Sequence, residues 1–356
     1  MNFDLTEEQQ LLQNAIAQLL QNELPVTRLR EIFESETGHD EALWKNLVEM
    51  GLGGLVIPEE YGGAGMELLD LALASETLSY GGAPGPFFGH SLAALAVSLA
   101  GSDAQKQRWL PQLATGDAIG SFAFAEAGSV WQPEDWVMAG GDTLTGTKLN
   151  VPYSELADVF VVGVAGGGLV LVEREASGLE SHPIDGVDRA RRIGALIFEA
   201  TPCESMPGAA ADRVRDAALV LLAADAFGAG TRLADMCVEY AKTREQFGVT
   251  IGHFQALKHQ LANMAIDIEP SRALYWYAAH AFDHIQGESA RSAAIAKAHI
   301  TDNVMQIARD SVEAHGGIGF TWECDVQLWF KRAMFDRAFF GVPSLHRERQ
   351  AQLAGW

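Results

Sequence analysis

The sequence predicts a three-part chain, helical at both ends with a small β region between, and three observations predict it. Up to about Thr115 apolar residues recur at helical spacing, in short runs cut by Gly and Pro. From about Ala118 the text changes to short apolar segments bounded by Gly, Asp and Ser. From about Asp212 long helical patterns return. The expected domains are therefore 1–117, α-helical, 118–211, β, and 212–356, a helical bundle.

Each element follows from its local chemistry. Thr6 with Gln9 reads as a capping box ahead of LLQNAIAQLL, whose apolar residues fall on one helical face. LVIPEEYGGAGM (Leu55 to Met66) and YGGAPGPFFGH (Tyr80 to His90) carry enough Gly and Pro to be loops between helices. The segments GSFAFAEA, DTLTGTKL, DVFVVGVAG and GLVLVERE have the texture of strands and turns. The later helical patterns run from Asp216 to Thr243, Gly252 to Ile285 and Ser289 to Ala314. No short-period repeat or low-complexity tract interrupts them.

Composition narrows the function. The chain has 356 residues, 48% hydrophobic and 20% charged, enough to bury a substantial core. Its 47 acidic against 25 basic residues give a formal charge of −22, which disfavours nucleic acid and anionic membrane surfaces as partners. Three scattered cysteines, Cys203, Cys237 and Cys324, form neither a disulfide framework nor a ligand cluster and suggest a reducing compartment. The opening MNFDLTEEQQ has no basic or apolar targeting region, and no run of eighteen apolar residues occurs, so the expected location is cytoplasmic. His253, His259, His299 and His315 lack two-ligand spacing, so no metal site is expected. No Ser-His-Asp or nucleophilic Cys arrangement is visible. Trp276, with Tyr275 and Tyr277, reads as core or interface packing.

The stretch YAKTREQFGVTIGHFQ (Tyr240 to Gln255) breaks one helical pattern and restarts another around an Arg, an aromatic, a Gly and a Gln. With it stand LGGLVIPEEYGG (Leu52 to Gly63), LPQLATGDAIG (Leu110 to Gly120) and AHGGIGFTWECDVQLWFKRA (Ala314 to Ala333). These spaced motifs, in this order over essentially the whole length, make the chain resemble the acyl-CoA dehydrogenases. The resemblance implies their fold: an N-terminal helical domain, a middle β-barrel-like domain and a C-terminal four-helix bundle.

It also implies FAD as cofactor and an acyl-CoA thioester as substrate, with an electron-transfer flavoprotein as the usual electron acceptor. In the family the ADP portion of FAD is shared with the neighbouring subunit, and Arg244, Phe247 and Gln255 match the neighbour's contribution. A planar guanidinium suits a pyrophosphate; taken alone, Arg244 would equally suit a carboxylate such as Glu245 of another copy. Gly316 and Gly317 match a second neighbour-side element, where a missing Cβ lets backbone approach the cofactor. Glu313 stands where the family has Gln, beside a pyrophosphate that would repel a carboxylate. GGIG by itself lacks the preceding strand of a dinucleotide fingerprint.

The features implied for the chain's own flavin ring are different. Phe339, Phe340, Gly341 and Val342 occupy a Tyr-Glu-Gly-Thr motif, so Phe340 replaces the catalytic base. Some members carry the base on the first bundle helix, at the position of Ala218, and that is absent too. Asp225, seven residues on, is the remaining alternative. Ala125 replaces a Thr that bonds the isoalloxazine, and Asn150, Val151 and Pro152 replace a Trp-Ile-Thr that covers it. The expectation is a non-catalytic subunit of an α2β2 heterotetramer, of the kind acting on bulky CoA esters such as steroid side chains. It would complete the FAD site of a homologous subunit that carries the Glu. A self-sufficient homotetramer and a cofactor-free structural subunit are the alternatives.

Overall fold

The computed structural model describes residues 4–128 and 130–356; the first three residues of the amino-terminal stretch lie outside it. In chain order the helices α1 (Glu7–Glu23), α2 (Val26–Glu34), α3 (Glu41–Glu49), α4 (Leu68–Tyr80), α5 (Phe87–Ala100) and α6 (Asp103–Thr115) come first. Strands β1 (Gly120–Ala123), β2 (Thr143–Pro152), β3 (Val159–Val164), β4 (Gly168–Glu173), β5 (Leu179–Ile184), β6 (Ile193–Pro202) and β7 (Glu204–Met206) follow. Then come α7 (Ala211–Thr243), a small hairpin β8 (Glu245–Gln246) and β9 (Val249–Thr250), and α8 (Gln255–Ile268). The chain closes with α9 (Ser271–His284), α10 (Gln286–His315), α11 (Val326–Ala338) and α12 (Pro343–Leu353).

By internal contacts the chain forms two units. The first comprises Met1–Leu29, Ala72–Ala83 and Leu219–Trp356; the second comprises Arg30–Leu71 and Pro84–Ala218. The first unit is helical. Its α1 starts on the capping box expected at Thr6 and Gln9, with both reciprocal bonds formed. Its long α10 packs along α9, α11 and α12. At Gly228 of α7 an added Cβ would lie 2.1 Å from the Glu76 carbonyl oxygen, so only glycine lets α7 and α4 approach this closely. The α7 helix is long and apolar enough to cross a membrane, but 83% of its apolar window is buried inside the protein, which accounts for its composition.

The second unit holds the β structure. A four-stranded sheet, order β1-β3-β4-β7, pairs β1 with β3 in parallel and its other neighbours antiparallel. An antiparallel sheet of order β2-β6-β5 lies separately. One core joins them, with Phe160 and Val162 from the first sheet against Leu144, Leu196 and Phe198 from the second. All six residues of β3 are buried, as its unbroken β-branched and aromatic run requires. The two sheets around this shared core form the middle β region that the fold class implies.

Several local expectations change. The helix expected from Gly252 to Ile285 is two helices, α8 and α9, broken at Glu269 and Pro270, because proline has no N–H for the ladder. The loop expected from Tyr80 to His90 turns helical at Phe87, directly after Pro86. Strands β5, β6 and β7 carry interrupted patterns that sequence texture did not resolve. The α7 helix begins at Ala211 rather than Asp216.

Candidate active site

Within the first unit, two segments meet at the C-terminal ends of α7 and α10. Tyr240, one turn before Arg244, stacks on His315 with ring centroids 4.5 Å apart, and His315 immediately precedes Gly316. Arg244 follows α7 and stays tied to it through its backbone N–H, which donates to Tyr240 O at 2.8 Å. Its own carbonyl accepts from Ile251 N at 2.8 Å, closing the small hairpin. The Arg244 side chain is exposed, and among the described residues no carboxylate pairs with it.

Phe247 sits at the hairpin tip, 91% exposed, with φ of +55°. A bulky residue in the left-handed region is strained, and such strain persists where surrounding structure or a ligand requires it. Gly248 follows at φ +79° and completes the tight turn. The Phe254 ring lies edge-on to Phe247 at 6.0 Å, and Gln255 opens α8 fully exposed. Glu313, Gly316 and Gly317 are exposed at the end of α10, and a Cβ on either glycine would meet nothing within 4 Å. The structure thus brings Arg244, Phe247 and Gln255 to the same end of the unit as Gly316 and Gly317. An open cation, an open amide and bare backbone fit an extended anionic ligand such as a dinucleotide diphosphate. Glu313 lies within this region and, like the exposed Glu245 beside Arg244, is a misfit to an anion.

The turn from α11 to α12 is built oppositely. Phe340 is fully buried, at φ +59°. Two buried side chains pin its backbone. Lys297 of α10 donates from Nζ to Arg337 O and Gly341 O, both at 3.2 Å. Burial holds its ammonium down to about 7, opposed by Asp336. His346 of α12 donates from Nε2 to Phe340 O at 3.0 Å. Burial, then the Lys297 charge, lowers its pKa to about 3, so the ring stays neutral. Neither Lys297 nor His346 was singled out from the sequence; the only hint was a Lys inside the small-residue run AAIAKAH. Position 340 is hydrophobic core and offers no proton acceptor. Val342, next to it, is exposed and has no hydroxyl.

Asp225 is 2% exposed and faces Arg332 at 4.0 Å, while Arg332 also donates to Ala83 O at 3.0 Å. That cation accounts for the buried carboxylate as a structural ion pair. Ala218, in the second unit, is fully buried and has no polar group.

In the second unit, Ala125 is buried and bridges to Leu149, and no hydroxyl stands there. The adjacent Glu126 accepts from Lys148 Nζ at 2.7 Å and from Val137 N and Met138 N at 2.9 and 3.1 Å. Burial opposes its ionisation, but Lys148 and the two N–H groups hold its carboxyl below the usual range. Beyond Lys148 the β2 strand bulges, Asn150 and Tyr153 take φ of +54° and +44°, and Ser121 Oγ donates to Pro152 O at 2.6 Å. Pro152 packs close enough to α5 that a Cβ on Gly89 would lie 3.1 Å away. The Tyr153 hydroxyl accepts from Gly85 N at 2.8 Å and lies 2.9 and 2.8 Å from Gly38 O and Ala190 O, binding three loops together. Among these, Ala125 and Pro152 have no side-chain hydroxyl to offer a ligand, while Asn150 has a carboxamide.

The chain's relatives agree with this architecture. Residues 6–117 match the model of the acyl-CoA dehydrogenase N-terminal domain and residues 218–353 that of the C-terminal domain. Acyl-CoA dehydrogenase IpdE2 of Mycobacterium tuberculosis is 37% identical over 330 residues, covering 92% of this chain and 91% of that protein. A solved variant of the Tcur3481-Tcur3483 steroid ACAD superimposes with a TM-score of 0.91 at 31% identity, covering 98% of each chain. The ChsE4-ChsE5 complex of M. tuberculosis gives 0.90 at 26% identity, over 100% of this chain and 99% of that one. The chain belongs to the acyl-CoA dehydrogenase family, FAD-dependent oxidoreductases that act on the CH–CH bond of acyl-CoA thioesters.

Proposed function

We propose that this chain is the base-lacking subunit of a heteromeric acyl-CoA dehydrogenase, an α2β2 assembly with a homologous subunit that supplies the Glu. The carrying observation is Phe340: the residue in the base position is a fully buried aromatic on a pinned turn. Removing an α-proton needs a carboxylate within hydrogen-bond reach, and a phenyl ring cannot accept it. In this reading Arg244, Phe247, Gln255, Gly316 and Gly317 hold the ADP part of the partner's FAD, with Glu313 turned from the phosphates. FAD, when bound, accepts the hydride. This chain's residues orient the cofactor and exclude water from it.

The substrate proposed is a bulky, ring-bearing CoA ester such as a steroid side-chain CoA ester, and the likeness to a steroid ACAD supports it. An electron-transfer flavoprotein is the proposed oxidant of the reduced flavin, and the cytoplasm the proposed location. Native mass measurement with a flavin count, on the chain alone and co-expressed with its genomic neighbour, tests the assignment. The expected result is one FAD per heterodimer and no activity from this chain alone. A yellow, fully active homo-oligomer refutes it, and an active complex whose flavin is independent of this chain favours a scaffold.

A further inference from the structure

The ends of α1 and α4, the start of α2 and the helices α7 and α11 line a solvent-open pocket of about 420 Å³ in the first unit. Ala17, Leu20, Leu24, Pro25 and Val26 form one apolar side, and Trp329 faces them. Among the described residues lining it, Arg232 carries the one charge. It lies twelve residues before Arg244 on α7, roughly 18 Å along the helix, away from the site described above.

The guanidinium is held by its faces. It lies 5.6 Å from the Tyr80 ring centroid and 5.4 Å from that of Trp329. Both rings are fixed from behind: Tyr80 donates its hydroxyl proton to Asp235 Oδ2 at 2.8 Å, and Trp329 donates Nε1–H to Ser79 O at 3.0 Å. Gly81 lets α4 come this near to α1, since a Cβ there would lie 2.6 Å from Leu20 Cδ1. The edges of the guanidinium are barely used. Its carboxylate contact is Glu239 at 3.8 Å, an exposed side chain, and one N–H serves the Tyr80 oxygen. The Arg232 side chain is only 23% exposed. A partly buried arginine whose in-plane edges meet one long carboxylate contact and the Tyr80 oxygen, beside an apolar pocket, suits an anion that brings its own apolar body.

We propose that this pocket is a binding site for an amphipathic carboxylate, an aliphatic or ring-bearing acid whose carboxylate takes the Arg232 edge while its body lies on the α1–α2 wall. The volume is that of a small-molecule site, and the planar fork matches a carboxylate where an ammonium would not. The class includes the free acids corresponding to acyl thioesters.

Titration of the full chain with octanoate by calorimetry, with octanol and octylammonium as comparisons, tests this. Saturable octanoate binding at one site is expected, at least tenfold tighter than either comparison. Arg232→Gln should weaken it at least tenfold and Arg232→Lys several-fold. Ala17→Trp, which fills the pocket and leaves Arg232 in place, should abolish it, and Arg244→Ala should leave it unchanged; thermal melts confirm that each variant is folded. Absence of saturable octanoate binding overturns the proposal. So does equal binding of octanol, undiminished binding by folded Arg232→Gln or Ala17→Trp, or loss of binding in Arg244→Ala.

Discussion

Replacing Arg244 by Ala separates a cofactor role from a structural one, because the structure sets different sizes for the two effects. The side chain is exposed and has no partner among the described residues, so its truncation removes no contact with them. The bonds that close the hairpin, Arg244 N to Tyr240 O and Ile251 N to Arg244 O, are backbone and survive. The expected change in stability is within about 0.5 kcal/mol. If the guanidinium instead holds the diphosphate of the partner's FAD, each charge-assisted bond lost costs about 1.5–3 kcal/mol. Even one such bond corresponds to roughly 10- to 150-fold weaker binding. The assay is FAD titration into the deflavinated complex, alongside a thermal melt of the variant chain. Arg244→Lys should fall between, because it keeps the charge and loses the planar fork. FAD affinity within twofold of wild type, with an unchanged melt, would refute the reasoning.

Two further outcomes follow from the Phe340 turn. Phe340→Ala should cost about 3–5 kcal/mol of stability in urea unfolding, the size of an emptied aromatic core site, while folded complex keeps its turnover; a cost below about 1 kcal/mol would mean the ring is not core. Lys297, held to about 7 in the folded chain against an ordinary 10.5, binds its proton more weakly folded than unfolded. The stability it lends is therefore present above the unfolded value and lost as pH falls to about 7, with a slope of up to about 1.4 kcal/mol per pH unit. Lys297→Met should flatten the rise in stability between pH 7 and 10, and an unchanged slope would show that another group titrates there.

Much of this molecule could be read before any coordinates. The capping box at Thr6, the run Val159 to Val164 and the long patterns of α7 and α10 appear where local periodicity placed them, because each carries its signal within one or two turns or one strand. The departures expected at Ala125, Asn150, Pro152 and Phe340 came from the resemblance to the family's motifs rather than from composition. Strands β5 and β6 were not legible: their burial is discontinuous, and β6 pairs with β2 some 40 to 60 residues before it. The division of the strands into two sheets likewise depends on which strand edges meet.

By itself the sequence determined the local signals, the Thr6 capping box and the apolar periodicity of α7 and α10, because residue identity and short-range hydrogen bonding are local properties. Tertiary structure alone decided which side chains meet. Lys297 of α10 comes from a stretch more than 40 residues before Phe340 and His346, yet the three form one pinned apolar turn. Asp225 became the partner of Arg332, and Arg232 came to rest between Tyr80 and Trp329. Whether a charge is spent or open depends on the groups that long-range packing brings to within a few ångströms of it, and no local pattern encodes that distance.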